Sequence, residues 1–440
     1  MMNLETVFNQ TVQQYYQANT RIVLALSGGL DSRVMLELMA AYCQAQSVEC
    51  MAVHVHHGLS PNADRWAQMC QAWCQQLDVE FALEKVIVEV EGKSIEESAR
   101  EARYAALAKH LQPNDLLLTG QHADDQLETF FLALKRGSGP KGLSSMAQVM
   151  TFAESCLVRP LLTVSRQQIE EYAREKQLEW IEDESNQDQR FERNFVRHSI
   201  TPCLAERWPH IRQSIQRTAE LCGEQEKLLD ELLVDKYQLC IHRDGSLIID
   251  ALESISPAIR NRIIRMWFEN LNCRMPSRVQ LARIWQDVAL AQQDANPKYQ
   301  FDQGQVRRFE QRLYLVKQWQ SLEAWSQVVE LEKPCVLPDE LGEMVVVPDS
   351  RGNLSQQALA QGRLSITFNP EGLKAHPVER GHSRKLKKLF QEYGVPSWLR
   401  RRTPILLCGD KVVAVGDLFI DRHFIGQDCE LIWDKVKRFM

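Results

Sequence analysis

The clearest chemistry in the chain lies in six residues, Ser27-Gly28-Gly29-Leu30-Asp31-Ser32, between an apolar run and a stretch of helical spacing. Two glycines let the backbone approach a ligand closely, and free N–H groups at a helix start favour an anion. Ser27 and Ser32 add hydroxyl donors, so the set suits a phosphate. Asp31 would repel that phosphate unless a cation such as Mg²⁺ lay between them, which makes Asp31 a candidate metal ligand. The Gly-Lys-Ser/Thr ending of a Walker A loop is absent, and the spacing is not GxGxxG.

Other residues cluster with comparable purpose. His54, His56 and His57 fall within four residues at the end of a second apolar run. At the carboxyl end of a parallel strand, three histidines favour a ligand site. His122, Asp125 and Glu128 follow a fourth run; on a helix the two carboxylates share a face with the histidine. Paired carboxylates near a phosphate site suit Mg²⁺ binding or proton abstraction, or else an acidic helix start stabilised by the dipole. Arg193 and Arg197, one helical turn apart, either grip a phosphate together or pair with Glu182–Glu184 nearby. Arg100 and Arg103 lie on one helical face, exposed to a ligand or salt-bridged at the surface. Cys70 and Cys74 sit four apart with no clustered His ligands, and read as buried small apolar residues rather than a zinc site.

The positioning elements are legible from periodicity. Strands are expected at 21–26, 49–55, 86–90 and 115–119. Helices are expected at 32–43, 64–77, 94–111 and through Leu134, the third opened by a capping box of Ser94 with Glu97. Strands alternating with helices imply an α/β domain with a parallel sheet covered on both faces. The reading divides the chain into a catalytic domain 1–215, a mainly helical middle domain 216–320, a linker 321–359 and a small α+β C-terminal domain 360–440. Helices are expected at 215–233 and 257–271, strand and turn at 298–316, and a helix at 384–393 stopped by Gly394 and Pro396.

Charge follows the same division. The 440 residues carry 52 Lys plus Arg and 58 Asp plus Glu, a net charge of −6. Residues 1–215 hold 20 basic and 28 acidic side chains, 216–359 hold 17 and 21, and 360–440 hold 15 and 9. An acidic total argues weakly against a nucleic-acid partner, but the last segment is basic. Within 374–402, nine basic residues face two acidic ones, with Trp398 and Arg400-Arg401-Arg402 close by, the footprint of a phosphate-backbone grip. A helix placing Leu386, Leu389, Phe390 and Tyr393 inward would leave Arg384, Lys385, Lys387 and Lys388 toward solvent. No run of about 18 apolar residues suggests a membrane span, and the N-terminus lacks the pattern of a secretory signal. The 12 scattered cysteines contain no CxxC pair and favour reduced thiols in the cytosol.

These stretches resemble the PP-loop ATP pyrophosphatases, whose loop SGGLDS is similar to, and within them the tRNA(Ile)-lysidine synthase family. His54-Val55-His56-His57-Gly58-Leu59 resembles that family's HVNHGLR, with His56 for Asn and Ser60 for Arg. Residues 120–129 resemble GHHxDDxxET, with Gln121 where many members have the first His. Residues 136–143 match RGSGxxGL, read as a mobile substrate loop. Residues 182–197 resemble EDxSN…RNxxR, and residues 99–104 match ARxxRY. The C-terminal segment resembles the tRNA-binding domain of longer members, including its GVPxWLR continuation.

The resemblance implies an ATP-dependent attachment of L-lysine to C2 of the wobble cytidine in the CAU anticodon of tRNA(Ile), in the cytoplasm, through an adenylated cytidine. It implies ATP at Ser27, Gly28, Gly29, Leu30, Asp31, Ser32, His54 and His122, with Mg²⁺ at Asp31. It implies catalytic roles for Asp31, Arg100, Arg103, Asp125 and Glu128, where Asp125 or Glu128 would bind the lysine amine and take its proton. Arg193, Arg197, Arg384, Lys385, Lys387, Lys388, Arg400 and Arg401 would meet tRNA. A homodimer is compatible with this reading. Two alternatives are a PP-loop tRNA thiolase, disfavoured by the lack of CxxC, and a catalytically inactive tRNA-binding protein, disfavoured by the intact loop and carboxylates.

Overall fold

The computed structural model describes residues 3–17, 20–58, 60–88, 95–292, 295–301 and 304–435. Its contacts divide the chain into two units, Met1–Leu232 and Leu233–Met440.

The first unit alternates helix and strand: α1 (Leu4–Tyr15), β1 (Ile22–Ala25), α2 (Leu30–Gln46), β2 (Cys50–His56), α3 (Ala63–Gln76), β3 (Glu80–Lys85), α4 (Ile95–Ala108), β4 (Leu116–Leu118) and α5 (Ala123–Lys135). The RGSGxxGL segment forms one helical turn, α6 (Pro140–Leu143), before the hairpin β5 (Val149–Phe152) and β6 (Ser155–Val158). Then come α7 (Arg166–Glu175), α8 (Glu192–Phe195) with a π-helical turn over Val196–Ile200, and α9 (Thr201–Arg207). The sheet runs β3-β2-β1-β4-β6-β5, parallel except for β5. Period-two alternation sorts the strand side chains to two cores. Ile22, Leu24, Leu116, Leu118 and Val158 pack with α1, α2, α3 and α7. Val23, Met51, Val53, Leu117 and Leu157 pack under α4 with Leu107 and Tyr104. The chain winds outward from β1 to β3, then returns across β1 to β4, so the winding direction reverses between β1 and β4. Ligands bind at the carboxyl ends of strands at such a reversal.

The third strand is displaced from its expected place. It is β3, Glu80–Lys85, not 86–90, because an edge strand half-open to water keeps alternating charged residues, while the apolar Ile87 stays 87% exposed. The expected capping box at Ser94 lies outside the described residues.

The long helix α10 (Ile211–Cys240) runs across the boundary between the units. In the second unit, β7 (Leu247–Ile248), α11 (Ile249–Glu253), α12 (Pro257–Asn270), α13 (Arg278–Arg283), β8 (Lys298–Phe301), β9 (Gly304–Phe309) and β10 (Arg312–Lys317) surround a core of Trp267, Phe268, Trp285 and Leu313. The helices here lie with an antiparallel sheet of order β7-β10-β9-β8. Then follow β11 (Ser326–Val328), β12 (Cys335–Val336), β13 (Glu343–Pro348), α14 (Gln356–Leu359), β14 (Leu364–Thr367), β15 (Lys374–Ala375), β16 (Arg384–Lys385), α15 (Leu386–Glu392), β17 (Ile405–Cys408), β18 (Lys411–Val415), β19 (Phe419–Ile420) and β20 (Cys429–Asp434).

The linker expected over 321–359 is corrected by these strands. β11 pairs β14, and β13 pairs β20 along six residues. Leu322, Leu337, Met344, Val346, Leu354 and Leu359 sit in one core with Phe368 and Leu406. The prolines that suggested a linker fall between or at the ends of short strands, where a missing N–H costs no ladder bond. A division at 359/360 would separate β13 from β20. Met344→Ala should therefore lower stability by about 2–5 kcal/mol in urea unfolding, the cost of a core truncation. A linker position would change by roughly 0.5 kcal/mol or less.

Candidate functional site

β1 ends at the Ser27–Ser32 loop, whose shape is held by its own hydroxyls. The Ser32 hydroxyl donates to the Gly29 carbonyl at 3.0 Å and accepts from the Gly28 N–H at 3.0 Å, with the Ser27 hydroxyl also 3.0 Å away. Gly28 has φ +91°, and an added Cβ would stand 2.4 Å from Ile181 Cδ1, so only glycine fits. Gly29 opens α2 without a side-chain cap, leaving the first N–H groups for an anion.

Across the reversal, the loop after β4 comes against this turn. A Cβ on Gly120 would stand 3.2–3.3 Å from the Asp31 and Ser32 backbone. His122 caps α5: its Nδ1 accepts the Asp124 N–H at 3.2 Å, while Asp125 Oδ2 accepts the His122 N–H at 3.0 Å. With Nδ1 accepting, the neutral ring carries its proton on Nε2, which lies 3.6 Å from Asp31 Oδ1 and 3.5 Å from Asp125 Oδ2. Both His122 Nε2 and Asp31 Oδ1 are buried without a hydrogen-bond partner among the described residues. Burial pushes the Asp31 carboxyl above its ordinary range, although His122 and Arg166, 3.6 Å away, pull against that.

Glu128 is 1% exposed and held by two guanidiniums. Arg193 Nε donates to Oε2 at 2.9 Å, and Arg197 Nε donates to Oε1 at 2.6 Å. Arg197 also reaches Asp125 Oδ1 at 3.4 Å. Burial alone would lower the Arg197 pKa, but the Glu128 bonds and charge, with Asp125 and Asp31, raise it. Arg193 and Arg197, expected either to grip a phosphate or to pair with Glu182–Glu184, are both aimed by α8 and the π-helical turn at Glu128, one helix away.

Behind this group, Asp124, Glu128, Arg166, Glu170, Arg197 and Arg212 line most of a cleft of about 280 Å³. Burial opposes ionisation of Asp124. The Arg166 backbone N–H at 2.9 Å and the Arg212 guanidinium at 2.7 Å outweigh it and hold the carboxyl below its usual range. Arg166 and Arg212 were not expected; they lie on α7 and α10, outside every motif, and no spacing announces them.

The opposite face of the sheet is different in charge. Arg103 Nε lies 3.4 Å from His57 Nε2, Arg100 stacks 5.0 Å over Tyr104, and Arg159 bonds Tyr104. Burial first, then Arg103, depresses His57 to about 4, so the ring is neutral at pH 7. His54 faces inward instead: 4% exposed, it lies 2.8 Å from the Leu26 carbonyl and braces the end of β1, with burial lowering its pKa. Among the described residues, no three or more His, Cys, Asp or Glu side chains group as a metal cage.

The basic residues of the C-terminal segment divide. Arg401 pairs Glu371 and Glu323, Arg384 pairs Glu392, and Arg400 donates to the Val395 carbonyl at 3.0 Å. Trp398 is buried, its ring 5.4 Å from Tyr314 in β10. Arg384, Arg400 and Arg401, expected to meet tRNA, thus each have a partner within the fold and stay partly exposed. Lys374, Lys385, Lys387 and Lys388 are exposed with no ion pair among the described residues, and Lys374 stands opposite Lys385 across the β15–β16 ribbon. Like charges directly opposite are destabilising unless a polyanion covers them.

Comparison with known proteins comes from three directions. A PP-loop domain model matches residues 2–204, a TilS substrate binding domain model residues 247–314, and a TilS substrate C-terminal domain model residues 364–435. The tRNA(Ile)-lysidine synthase of Vibrio campbellii is 55% identical over 99% of this chain and 100% of its own. That of Vibrio vulnificus is 58% identical over 97% and 98%. Among solved structures, a U34-tRNA thiolase from Methanococcus maripaludis is similar at 17% identity over 50% of this chain and 78% of its own, with a TM-score of 0.41, too slight a likeness to bear on function.

Two outcomes follow from the geometry. Glu128→Ala, which removes the carboxylate shared by Arg193 and Arg197 and leaves them only Thr129 and the 3.4 Å contact with Asp125, should cost about 3–5 kcal/mol in denaturant unfolding. His57 has a folded pKa below the unfolded 6.5, so the unfolded chain binds more protons between about pH 6.5 and 4, and stability rises with pH across that window. His57→Gln should flatten that rise in melts taken from pH 4 to 7.

Proposed function

The chain belongs to the tRNA(Ile)-lysidine synthase family, and from that membership we infer that it uses ATP to attach L-lysine to C2 of the wobble cytidine in the CAU anticodon of tRNA(Ile). The cytidine O2 attacks the ATP α-phosphate and pyrophosphate leaves. The lysine amine, once it has lost a proton, attacks C2 and AMP leaves. Pairing then changes from G to A, and the tRNA's amino acid from methionine to isoleucine.

The observation that carries the assignment of roles is the division of charge across one sheet. On the α2–α5 side, five carboxylates, Asp31, Asp124, Asp125, Glu128 and Glu170, are held by four arginines, Arg166, Arg193, Arg197 and Arg212; on the α4 side, Arg100 and Arg159 meet Tyr104, and Arg103 meets His57. The carboxylate side suits an ammonium substrate, and the arginine side suits phosphate and developing negative charge. Between them the Ser27–Ser32 loop receives the ATP phosphates on open backbone N–H groups.

A lysine ammonium has no lone pair, and its ordinary pKa of about 10.4 makes a nearby acceptor useful. Glu128, neutralised by two guanidiniums, is a poor acceptor and acts as a positioning residue that aims Arg197. Asp125 is the better candidate: one oxygen is taken by the helix cap, and the other has only a 3.4 Å contact with Arg197. Asp31 fits Mg²⁺, because its buried Oδ1 lacks a partner and Mg²⁺ is commonly held by one or two carboxylates together with substrate phosphates. Bound there, the ion would neutralise charge on the triphosphate.

The exposed lysines Lys374, Lys385, Lys387 and Lys388 support a role for the C-terminal segment in gripping the tRNA backbone. The free state of all 12 cysteines suits a reducing compartment such as the cytoplasm. No described helix is long and apolar enough to cross a membrane. A homodimer would find an apolar stripe in the exposed Leu221, Leu228, Leu232 and Leu239 of α10.

Incubation with ATP, radiolabelled lysine and tRNA(Ile) transcript should give acid-precipitable counts; their absence would sink the assignment. Asp31→Ala should abolish tRNA-dependent ATP–pyrophosphate exchange. Replacing Lys385, Lys387 and Lys388 together by Ala should reduce the slope of log affinity against log salt by roughly one per lysine while leaving ATP binding intact. An unchanged slope would place the tRNA grip elsewhere.

A further inference from the structure

Gln121 makes no hydrogen bond among the described residues, although its Oε1 is buried. A buried amide left unpaired costs about 1–3 kcal/mol, so its partner is to be sought in a ligand. Alternation fixes where it points. Gly120 turns its Cβ direction to the Asp31 backbone, and the extended His122 aims at the Asp31 carboxylate. Continued past the end of β4 at Leu118, the same alternation sets Gln121, like Thr119, toward the other side of the sheet, where Leu117 meets Tyr104 under α4.

That side holds several other unsatisfied polar atoms. Thr119 is 5% exposed and Arg159 3% exposed, and Thr119 Oγ1, Arg159 Nε and His57 Nδ1 are all buried without a partner among the described residues. Tyr104, stacked edge-on against Phe152 at 5.4 Å, supplies an aromatic wall. No carboxylate pairs with Arg159 among the described residues, so an ammonium is excluded as the occupant by charge. A carboxamide presents an acceptor beside a donor. Its complement is a nucleobase edge bearing an exocyclic amine beside an unprotonated ring nitrogen.

We propose that Gln121 reads such an amidine edge through its carboxamide, as a specificity-determining residue of this enzyme. The inference rests on the lysidine synthase reading, which brings two bases with that edge to the site: the target cytosine, through N4 and N3, and the adenine of ATP, through N6 and N1. The buried Oε1 accepts the exocyclic N–H, and the ring nitrogen accepts from Nε2.

The test is a cycle between the side chain and the base, on the full-length protein. Affinities of the wild type and of Gln121→Ala are measured for tRNA(Ile) with C34 and for the same tRNA with C34 lacking its N4 amine. ATP is compared in parallel with purine riboside triphosphate, which lacks the N6 amine and keeps N1 as an acceptor. Wild type should lose about tenfold in affinity when the amine it reads is removed, and Gln121→Ala should be nearly indifferent to that removal. Loss of discrimination confined to the tRNA pair assigns the contact to the cytosine; loss confined to the nucleotide pair assigns it to adenine. If Gln121→Ala discriminates both pairs as well as wild type does, the proposal is overturned. Gln121→His, which keeps one ring nitrogen able to accept from the exocyclic amine, should restore only part of the lost discrimination. Lysidine formation by the wild type is scored separately, so failure of the underlying reading is told apart from failure of this contact.

Discussion

A buried carboxylate with two guanidiniums organises the catalytic half of the molecule. Glu128 lies in the interior, where an isolated charge would be prohibitive, and two arginines from the segment after α7 neutralise it. The clamp ties α5, which begins at the strand reversal, to α8 and the π-helical turn. That connection sets Arg197 against Asp125 and keeps His122, the cap of α5, against Asp31. Loss of the clamp would free the helix that places most of the acidic residues.

The sheet supplies the second constraint. Adjacent residues on a strand face opposite ways, so the carboxyl end of β4 delivers Gly120 and His122 to one side and Thr119 and Gln121 to the other. The loop after β4 thereby stands between the carboxylates of one side and the arginines of the other, next to the Ser27–Ser32 turn after β1. The chemistry asks for that separation: a cationic amine and an anionic triphosphate must both reach one cytosine without pairing with each other.

The C-terminal segment shows how little a count of basic residues says about a binding surface. Arg384, Arg400 and Arg401 are held by carboxylates or a carbonyl, and Trp398 is packed against β10. The lysines, whose ammonium heads stay hydrated at the end of flexible stems, remain outside. Arginine, with a planar fork of five donors, was drawn into the fold because it can satisfy several acceptors at once.

Much was legible before any coordinates. The glycines and hydroxyls of Ser27–Ser32, the alternation of apolar strands and helices, and the motif spacings specify an α/β domain and its ligand edge, because these are local properties of a few consecutive residues. The third strand was misplaced because an edge strand need not be apolar, and the linker because short strands separated by prolines look like loop. Which partner each charged side chain takes was decided by tertiary structure alone. Arg193 and Arg197 meet Glu128 more than 60 residues away, Arg212 meets Asp124, and the Arg166 guanidinium reaches Asp31, pairings that nothing in their neighbourhoods foretells. Sequence determines which charges are present and on which helix face they ride; only the fold, by excluding water, determines which of them must be paired inside and which stay available for a substrate.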